Sequence, residues 1–268
     1  MADIGEGEVA LRETPMLKLR IKKSSRISSG ISSQAFDESW NSLSESEQQA
    51  FSELPLNTGF DHEIKDPCIA RWCSNCLACS SELEQYAVAL LGSRFQQSCS
   101  PNTLYRLVEP IPNSFYFEYR TTCRVRRGTQ LQVTYDILGI LCTAQKRCSR
   151  LRKRKGIDCR CVSCHPGAVG SDQRRAVAKP IVEAQQRRGT IPEVRYASQS
   201  HQHIHIYQIL AALEALHQEG VYHFDAPLYR DAYEQCHRNG DHNNALLFRD
   251  HCLRIAWREG VVAPDPLT

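Results

Sequence analysis

The sequence lacks any long apolar run, and no stretch approaches the roughly 18 residues that a membrane-spanning helix needs. No membrane contact is therefore expected. The first residues, Met1 to Glu6, carry acidic side chains and no apolar core of the kind that secretory signals have, so an intracellular protein of the nucleus and/or cytoplasm is expected. Charge of one sign is also missing, since the net charge is only +3, which by itself does not indicate nucleic-acid binding.

Cysteine, in contrast, is abundant, with 13 residues in a chain of 268. Disulfides are rare inside cells, so these thiols are expected to be reduced or bound to metal. The length and a hydrophobic content of 41% allow one good core and a smaller second unit.

Three cysteines lie close together in Cys159-x-Cys161-x-x-Cys164. This spacing turns three sulfurs toward one point, which suits a tetrahedral structural zinc site with one further ligand from elsewhere in the chain. The alternative is a set of buried thiols without metal, because cysteine is among the most buried residue types.

Local patterns predict a β-rich first half and a helical second half. Apolar residues around Pro15 predict two short strands within residues 1–21, and the serine-rich stretch 24–33 predicts a flexible loop. A helix pair is predicted over 35–54, with Ser44 and Glu47 as a capping box for its second helix. Four strands are predicted over 86–91, 103–108, 115–125 and 130–135, and four helices over 172–188, 201–219, 227–239 and 242–258, the last preceded by a Gly240-Asp241 stop and cap.

Four motifs in order resemble those of SET domains, in particular the SET and MYND-like group without its MYND finger. Residues 4–17 are similar to the strand pair near the start of these domains, and Ser93 to Asn102 is similar to their Ser-Arg-hydrophobic-Asn-His-Ser-Cys-x-Pro-Asn box. Val125 to Tyr135 resembles the Ile-x-x-Gly-Glu-x-Ile-x-Ile-x-Tyr strand, and residues 147–164 follow the spacing that leads into a post-SET zinc tail. The resemblance begins past the family's opening Gly-x-Gly turn, so it implies a SET domain without its opening strand.

SET domains are protein lysine methyltransferases that use S-adenosylmethionine. The resemblance therefore implies an α+β fold in three parts. These are a β-rich SET domain with helical insertions over 1–145, a zinc-bound post-SET segment over 146–168, and an α-helical, tetratricopeptide-like domain over 169–268. It also implies a monomer whose partner or substrate is a protein, histone or other, that presents a lysine.

The resemblance also implies roles for single residues. It selects Cys99 as the fourth ligand of a structural Zn²⁺, and it implies that Tyr135 is the catalytic tyrosine, with its hydroxyl at the transferring methyl group. The substrate lysine has a reference pKa near 10.4 and must lose its proton in an apolar channel before it can attack. The residues implied to line S-adenosylmethionine are Asn75, Gln96, Gln97 and Ile157.

Two departures from the family pattern leave the activity open. Gln96-Gln97 replaces the Asn-His pair, which moves a cofactor-binding amide by one methylene, and Ile157 replaces an aromatic residue that stacks on adenine. The chain is thus expected to be either a SET-type methyltransferase, weak or inactive, or a non-catalytic SET-derived interaction module stabilised by zinc.

Two further motifs have alternative interpretations. The basic run 146–155 suits nuclear localisation or nucleic-acid contact, but the resemblance assigns it to the solvated face of a short helix. A second cysteine set resembles a metal site; it consists of Cys68, Cys73, Cys76 and Cys79. The resemblance predicts a strand at 72–75, in which Cys73 and Cys76 would point to opposite faces and a second metal would be disfavoured.

Overall fold

The structure is a computed structural model, and it describes residues 2–21, 31–57, 64–80, 85–111, 114–189 and 205–260. It mixes α-helices with short β-strands and divides into two compact units. Unit 1 comprises Met1–Asp136 and Gln145–Cys164, and unit 2 comprises Ile137–Ala144 and His165–Thr268. The domain boundaries expected at 145 and 168 stay a prediction. Most of the loop predicted at 24–33 lies outside the described residues.

The described strands all belong to unit 1 and form three small sheets. They are β1 (Val9–Glu13), β2 (Leu17–Arg20), β3 (Cys76–Ser80), β4 (Gln85–Val88), β5 (Gln96–Gln97), β6 (Thr103–Ile111), β7 (Ser114–Thr121) and β8 (Gln132–Val133). Two sheets are antiparallel, in the orders β1-β7-β6 and β2-β4-β3, and β5 pairs in parallel with β8. The strand pair predicted near the N-terminus is confirmed, and the four later strands are found with shifted bounds. The β5–β8 pairing matters most for the site, because it brings residues 96–97 beside residues 132–133.

Unit 1 has four α-helices within the described ranges, and the first three pack on the β2-β4-β3 sheet. They are α1 (Ser33–Asn41), α2 (Glu45–Ser52), α3 (Pro67–Asn75) and the larger part of α4 (Ala144–Lys155). The predicted capping box is confirmed, since Ser44 accepts from the Glu47 amide while the Glu47 carboxylate accepts from the Ser44 amide. Buried side chains of α1 to α3 then meet the sheet in one apolar cluster, which includes Phe36, Phe51, Trp72, Leu17 and Leu19.

The strand predicted at 72–75 is wrong, because these residues form the end of α3. The helix starts where two local signals coincide. Asp66 is the N-cap, and its carboxylate accepts from the Cys68 amide at 2.7 Å, while Pro67 occupies the first turn, where its missing N–H costs nothing. Strand β3 begins only at Cys76, so the cysteine-rich segment changes from helix to strand within the second cysteine set.

Unit 2 contains the four predicted helices, which are confirmed as α5 (Ser171–Gly189), α6 (Ile206–Gln218), α7 (Asp225–Arg238) and α8 (His242–Glu259). The start predicted for α6 at residue 201 lies outside the described residues. The predicted stop is also confirmed: Gly240 adopts φ 73°, and Asp241 caps α8 by accepting from the Asn244 amide. No helix in the described ranges combines the length and the apolar character needed to cross a membrane.

Candidate metal centre

Four cysteines from two distant segments converge in unit 1. Cys99 follows β5 directly, and the other three follow α4. The group, called the four-cysteine cluster below, consists of Cys99, Cys159, Cys161 and Cys164. All four sulfurs lie within 4.8 Å of one another, and two of the cysteines are buried while two are half-buried. The cluster can hold a metal ion.

The sulfur spacing fits a tetrahedral ion of the size of zinc. A Zn–S bond of about 2.3 Å places the sulfurs of a regular tetrahedron about 3.8 Å apart. The Cys99 sulfur lies 3.9 Å from that of Cys159 and 3.6 Å from that of Cys164. The Cys99 amide also donates to the Cys161 sulfur at 3.3 Å, a contact that stabilises negative charge on a ligand.

The close sulfurs divide their protons unequally. Hydrogen bonds with Cys159 are the main cause that lowers the pKa of Cys164, to about 6, and the pKa of Cys161 also falls. The pKa of Cys99 rises, mainly through its hydrogen bond with Cys159. Part of the cluster is thus ready to carry negative charge, and a bound cation favours the thiolate form at every ligand.

Polar contacts outside the sulfurs hold the two segments together. The Arg147 guanidinium, buried in α4, donates to the Ser163 carbonyl at 2.6 Å and also lowers the pKa of Cys164. The hydroxyls of Ser100 and Ser163 hydrogen bond to each other across the segments. These contacts orient the cysteine-bearing turn toward Cys99, as the outer residues of metal sites commonly do.

Tyr135 lies directly beside the segment that leads into Cys99. Its hydroxyl donates to the Phe95 carbonyl at 2.5 Å, and its amide donates to the Gln97 side-chain oxygen at 2.6 Å. Burial raises the pKa of the Tyr135 hydroxyl, so the phenol keeps its proton. The structure therefore places Tyr135 against Gln97. Gln97 in turn lies two residues before Cys99, a member of the four-cysteine cluster.

The other residues expected to line a cofactor differ in their surroundings. Asn75 is buried, and its side-chain amide donates to the Pro55 carbonyl at 2.8 Å and to the Arg71 carbonyl at 2.7 Å. Its backbone carbonyl accepts from the Ser93 hydroxyl at 3.0 Å, which links α3 to the Tyr135 region. Gln96 is exposed at the sheet edge, and Ile157 is half-buried just after α4.

The second cysteine set does not converge. Among the described residues, the four-cysteine cluster is the one group of potential ligands close enough to share an ion. In the second set, Cys68 and Cys73 lie on α3, and Cys76 and Cys79 lie on β3. The side-chain nitrogen of Lys155 approaches the Cys76 sulfur to 3.2 Å, so this sulfur already has a lysine as its neighbour. This contact disfavours a second metal.

The basic run is used largely inside unit 1. Arg150 pairs with Asp136 at 2.6 Å, and Arg154 reaches the same carboxylate at 3.6 Å. Arg152 pairs with Asp158, while Arg147 and Lys155 are buried. The helix expected to be solvated is therefore only partly exposed. Its arginines pair with Asp136, next to Tyr135, and with Asp158, next to Cys159.

Two carboxylates, Glu118 and Glu13, connect separate segments of unit 1, and neither role was predicted from the sequence. Glu118, on β7, is buried and accepts from Arg12, Arg106 and Arg120, at distances of 2.7 to 3.1 Å. Glu13, at the end of β1, accepts from the amide of Gly92 at 2.8 Å and so anchors the turn before Ser93. A Cβ at Gly92 would overlap the Tyr119 hydroxyl, so the turn requires glycine. Apart from Arg120, which lies two residues from Glu118, the partners are far apart in sequence, so no local signal pairs them.

No family model matches the sequence, and no curated protein matches it.

Proposed function

We propose that this chain is a SET-type protein lysine methyltransferase with a structural Zn²⁺ in the four-cysteine cluster and S-adenosylmethionine as methyl donor. The observation that supports the proposal is the meeting of three segments that the resemblance connects. Tyr135 hydrogen bonds to Phe95 and Gln97, and two residues later Cys99 joins the trio at 159–164. Segments so far apart in sequence would not be expected to meet around one tyrosine by local preference alone.

Zinc is the proposed metal because four thiolates leave no open position, which makes the ion structural. The ion would fasten residues 159–164 to the end of β5, immediately beside the Tyr135 contacts. Its loss would release the segment that supports Gln97, whose side-chain nitrogen lies 3.8 Å from the Cys99 sulfur.

The role that Tyr135 would play is to orient the neutral amine of a substrate lysine. The Tyr135 proton is committed to the Phe95 carbonyl, so the phenolic oxygen keeps lone pairs for an incoming N–H. Apolar side chains around Tyr135, among them Phe95, Phe117 and Tyr119, disfavour an ammonium ion and favour the free amine that a lysine needs for attack. S-adenosylmethionine, when bound, supplies the methyl group.

The test combines binding and transfer. Calorimetric titration with S-adenosylmethionine should show binding, and methyl-labelled donor should label purified core histones at lysine. Tyr135→Phe should reduce labelling by about a hundredfold, as the loss of one positioned hydrogen-bonding group does in other enzymes. The matched control is Tyr116→Phe, a half-buried tyrosine on β7, which should leave labelling unchanged. No labelling above background with any of several lysine-bearing proteins, despite full zinc loading, would contradict the proposal.

One observation favours a second candidate, the non-catalytic SET-derived interaction module. The Asn75 amide donates to two backbone carbonyls, and the Gln97 oxygen is taken by the Tyr135 amide. In this arrangement both groups make hydrogen bonds within the protein instead of facing a cofactor. If the zinc-loaded protein gives no heat with S-adenosylmethionine at high concentration, the interaction module replaces the methyltransferase as the proposed function.

A further inference from the structure

Lys155 is the last residue of α4, and its side chain is buried although it belongs to the basic run. Its nitrogen donates to the Cys73 carbonyl at 3.2 Å, to the Cys76 carbonyl, and to the Cys76 sulfur at 3.2 Å. An ammonium group has three N–H donors and no acceptor. The three acceptors therefore match its donors, and the charge is fully solvated by the protein.

The acceptors are of two chemical kinds. The two carbonyls lie at the C-terminal end of α3, where the helix dipole favours a positive charge. The third acceptor is a thiol sulfur, which is open to oxidation. The Lys155 nitrogen lies against this sulfur, so an oxidised sulfur would face the nitrogen directly.

A separate contact holds the two segments in register. The Asn57 side-chain nitrogen donates to the Lys155 carbonyl at 3.0 Å, and the Asn57 backbone amide donates to the Ser74 hydroxyl at 3.2 Å. Asn57 thus connects the end of α4 to the end of α3 without using either reactive group. The nitrogen and the sulfur are held at contact distance, so little movement is needed to join them.

We propose that Lys155 and Cys76 form a peroxide-dependent, reversible nitrogen–oxygen–sulfur cross-link that locks the end of α4 to the end of α3. One peroxide oxidises the Cys76 thiol to a sulfenic acid and releases one water. The Lys155 ammonium then loses a proton, and a second peroxide oxidises the free amine to a hydroxylamine and releases a second water. Condensation of the two hydroxyl groups forms the S–O–N linkage and releases a third water. Sulfur and nitrogen each lose two electrons, and each peroxide gains two.

The neighbouring cysteines are less suited to this reaction. Cys73 meets Lys155 only through its backbone carbonyl, and burial raises the pKa of its thiol to about 12, which keeps it protonated. The thiols of the four-cysteine cluster are held by the metal when zinc is bound. The inference does not depend on methyl transfer, since it uses neither Tyr135 nor S-adenosylmethionine.

The test is peptide mapping of the full-length, zinc-loaded protein after exposure to hydrogen peroxide. A peptide containing Cys76 should appear joined to one containing Lys155, with a mass that has gained one oxygen and lost two hydrogens. Dithiothreitol should restore both free peptides. Cys76→Ser and Lys155→Arg should each abolish the joined species, and Cys73→Ser should leave it at the wild-type level.

The wild-type map alone can overturn the proposal, so it does not depend on how the variants fold. A disulfide between Cys73 and Cys76, which loses two hydrogens without gaining oxygen, would overturn it. A sulfinic or sulfonic acid at Cys76 with a free Lys155 would do the same, as would an unmodified Cys76 after prolonged exposure to peroxide that oxidises the half-buried cysteines.

Discussion

The four-cysteine cluster and the second cysteine set look alike in sequence but differ in what faces their sulfurs. In the cluster, the turn at 159–164 presents three sulfurs to that of Cys99, which lies just after β5, and all four sulfurs lie within 4.8 Å of one another. In the second set, α3 and β3 spread the cysteines over two elements, and Lys155 meets Cys76. Cysteine spacing therefore indicates a metal site only where two segments close around a position that no other cation occupies.

The largest expected effect comes from removing a ligand of the cluster. Cys159→Ser should abolish stoichiometric zinc binding and lower the free energy of unfolding by more than about 4 kcal/mol, because the metal joins distant parts of unit 1. Zinc content and urea unfolding measure both. Cys252→Ser, a half-buried thiol of α8, is the matched control and should keep its zinc. An unchanged zinc content in Cys159→Ser would show that the four-cysteine cluster does not bind the metal.

Acid should affect the four-cysteine cluster and the Glu118 ion pairs in different ways, because the cluster loses its metal while Glu118 gains a proton. Burial alone would raise the pKa of Glu118, but hydrogen bonds from Arg120, Arg106 and Arg12 lower it to about 2. A carboxyl group whose pKa is lower in the folded than in the unfolded protein stabilises the fold at neutral pH. For Glu118 this contribution is about 3 kcal/mol, and it is lost as the pH falls from about 4.5 through 2.

Glu118→Gln should remove this pH dependence while leaving zinc release by acid unchanged. Urea unfolding at several pH values, with zinc in the same samples followed by a chromogenic chelator, distinguishes the two. A variant that keeps the wild-type slope below pH 4.5 would show that other carboxylates carry the acid sensitivity.

Lys155→Met tests the cation of the second set. The substitution removes the Lys155 donor from the Cys73 and Cys76 carbonyls, and we expect a loss of about 2 kcal/mol in the free energy of unfolding. Lys153→Met, an exposed neighbour on the same helix, should change stability by no more than about 0.5 kcal/mol. Equal effects of the two substitutions would mean that Lys155 contributes no more than a surface charge.

The smallest effect is expected at Cys68. This half-buried thiol lies in the first turn of α3, and serine should replace it with a change within about 0.5 kcal/mol and no loss of zinc. A fall in metal content in Cys68→Ser would show that the second cysteine set binds metal after all.

Features set by neighbouring residues could be predicted from the sequence. The Ser44–Glu47 capping box and the Gly240-Asp241 stop depend on contacts a few residues apart, and both are confirmed. The three-cysteine turn at 159–164 is likewise local. Asp66-Pro67 is an equally local helix start, but the strand predicted at 72–75 took no account of it, and that prediction is wrong.

Features that depend on distant contacts could not be predicted in this way. Spacing alone did not select Cys99, which came only from the resemblance. Lys155 looks like any other member of a basic run, because burial of one side chain depends on where α3 ends. Glu118 attracts three arginines from three strands, and this becomes visible only once the register of β1, β7 and β6 is known.

The most direct test of the account is the metal content and coordination of the purified protein. Elemental analysis should find one zinc per chain, and X-ray absorption at the zinc edge should show four sulfur ligands at about 2.3 Å. Cys68→Ser should give the same spectrum. Two zinc ions per chain, a shell containing nitrogen or oxygen ligands, or folded wild-type protein purified without any zinc would contradict the account.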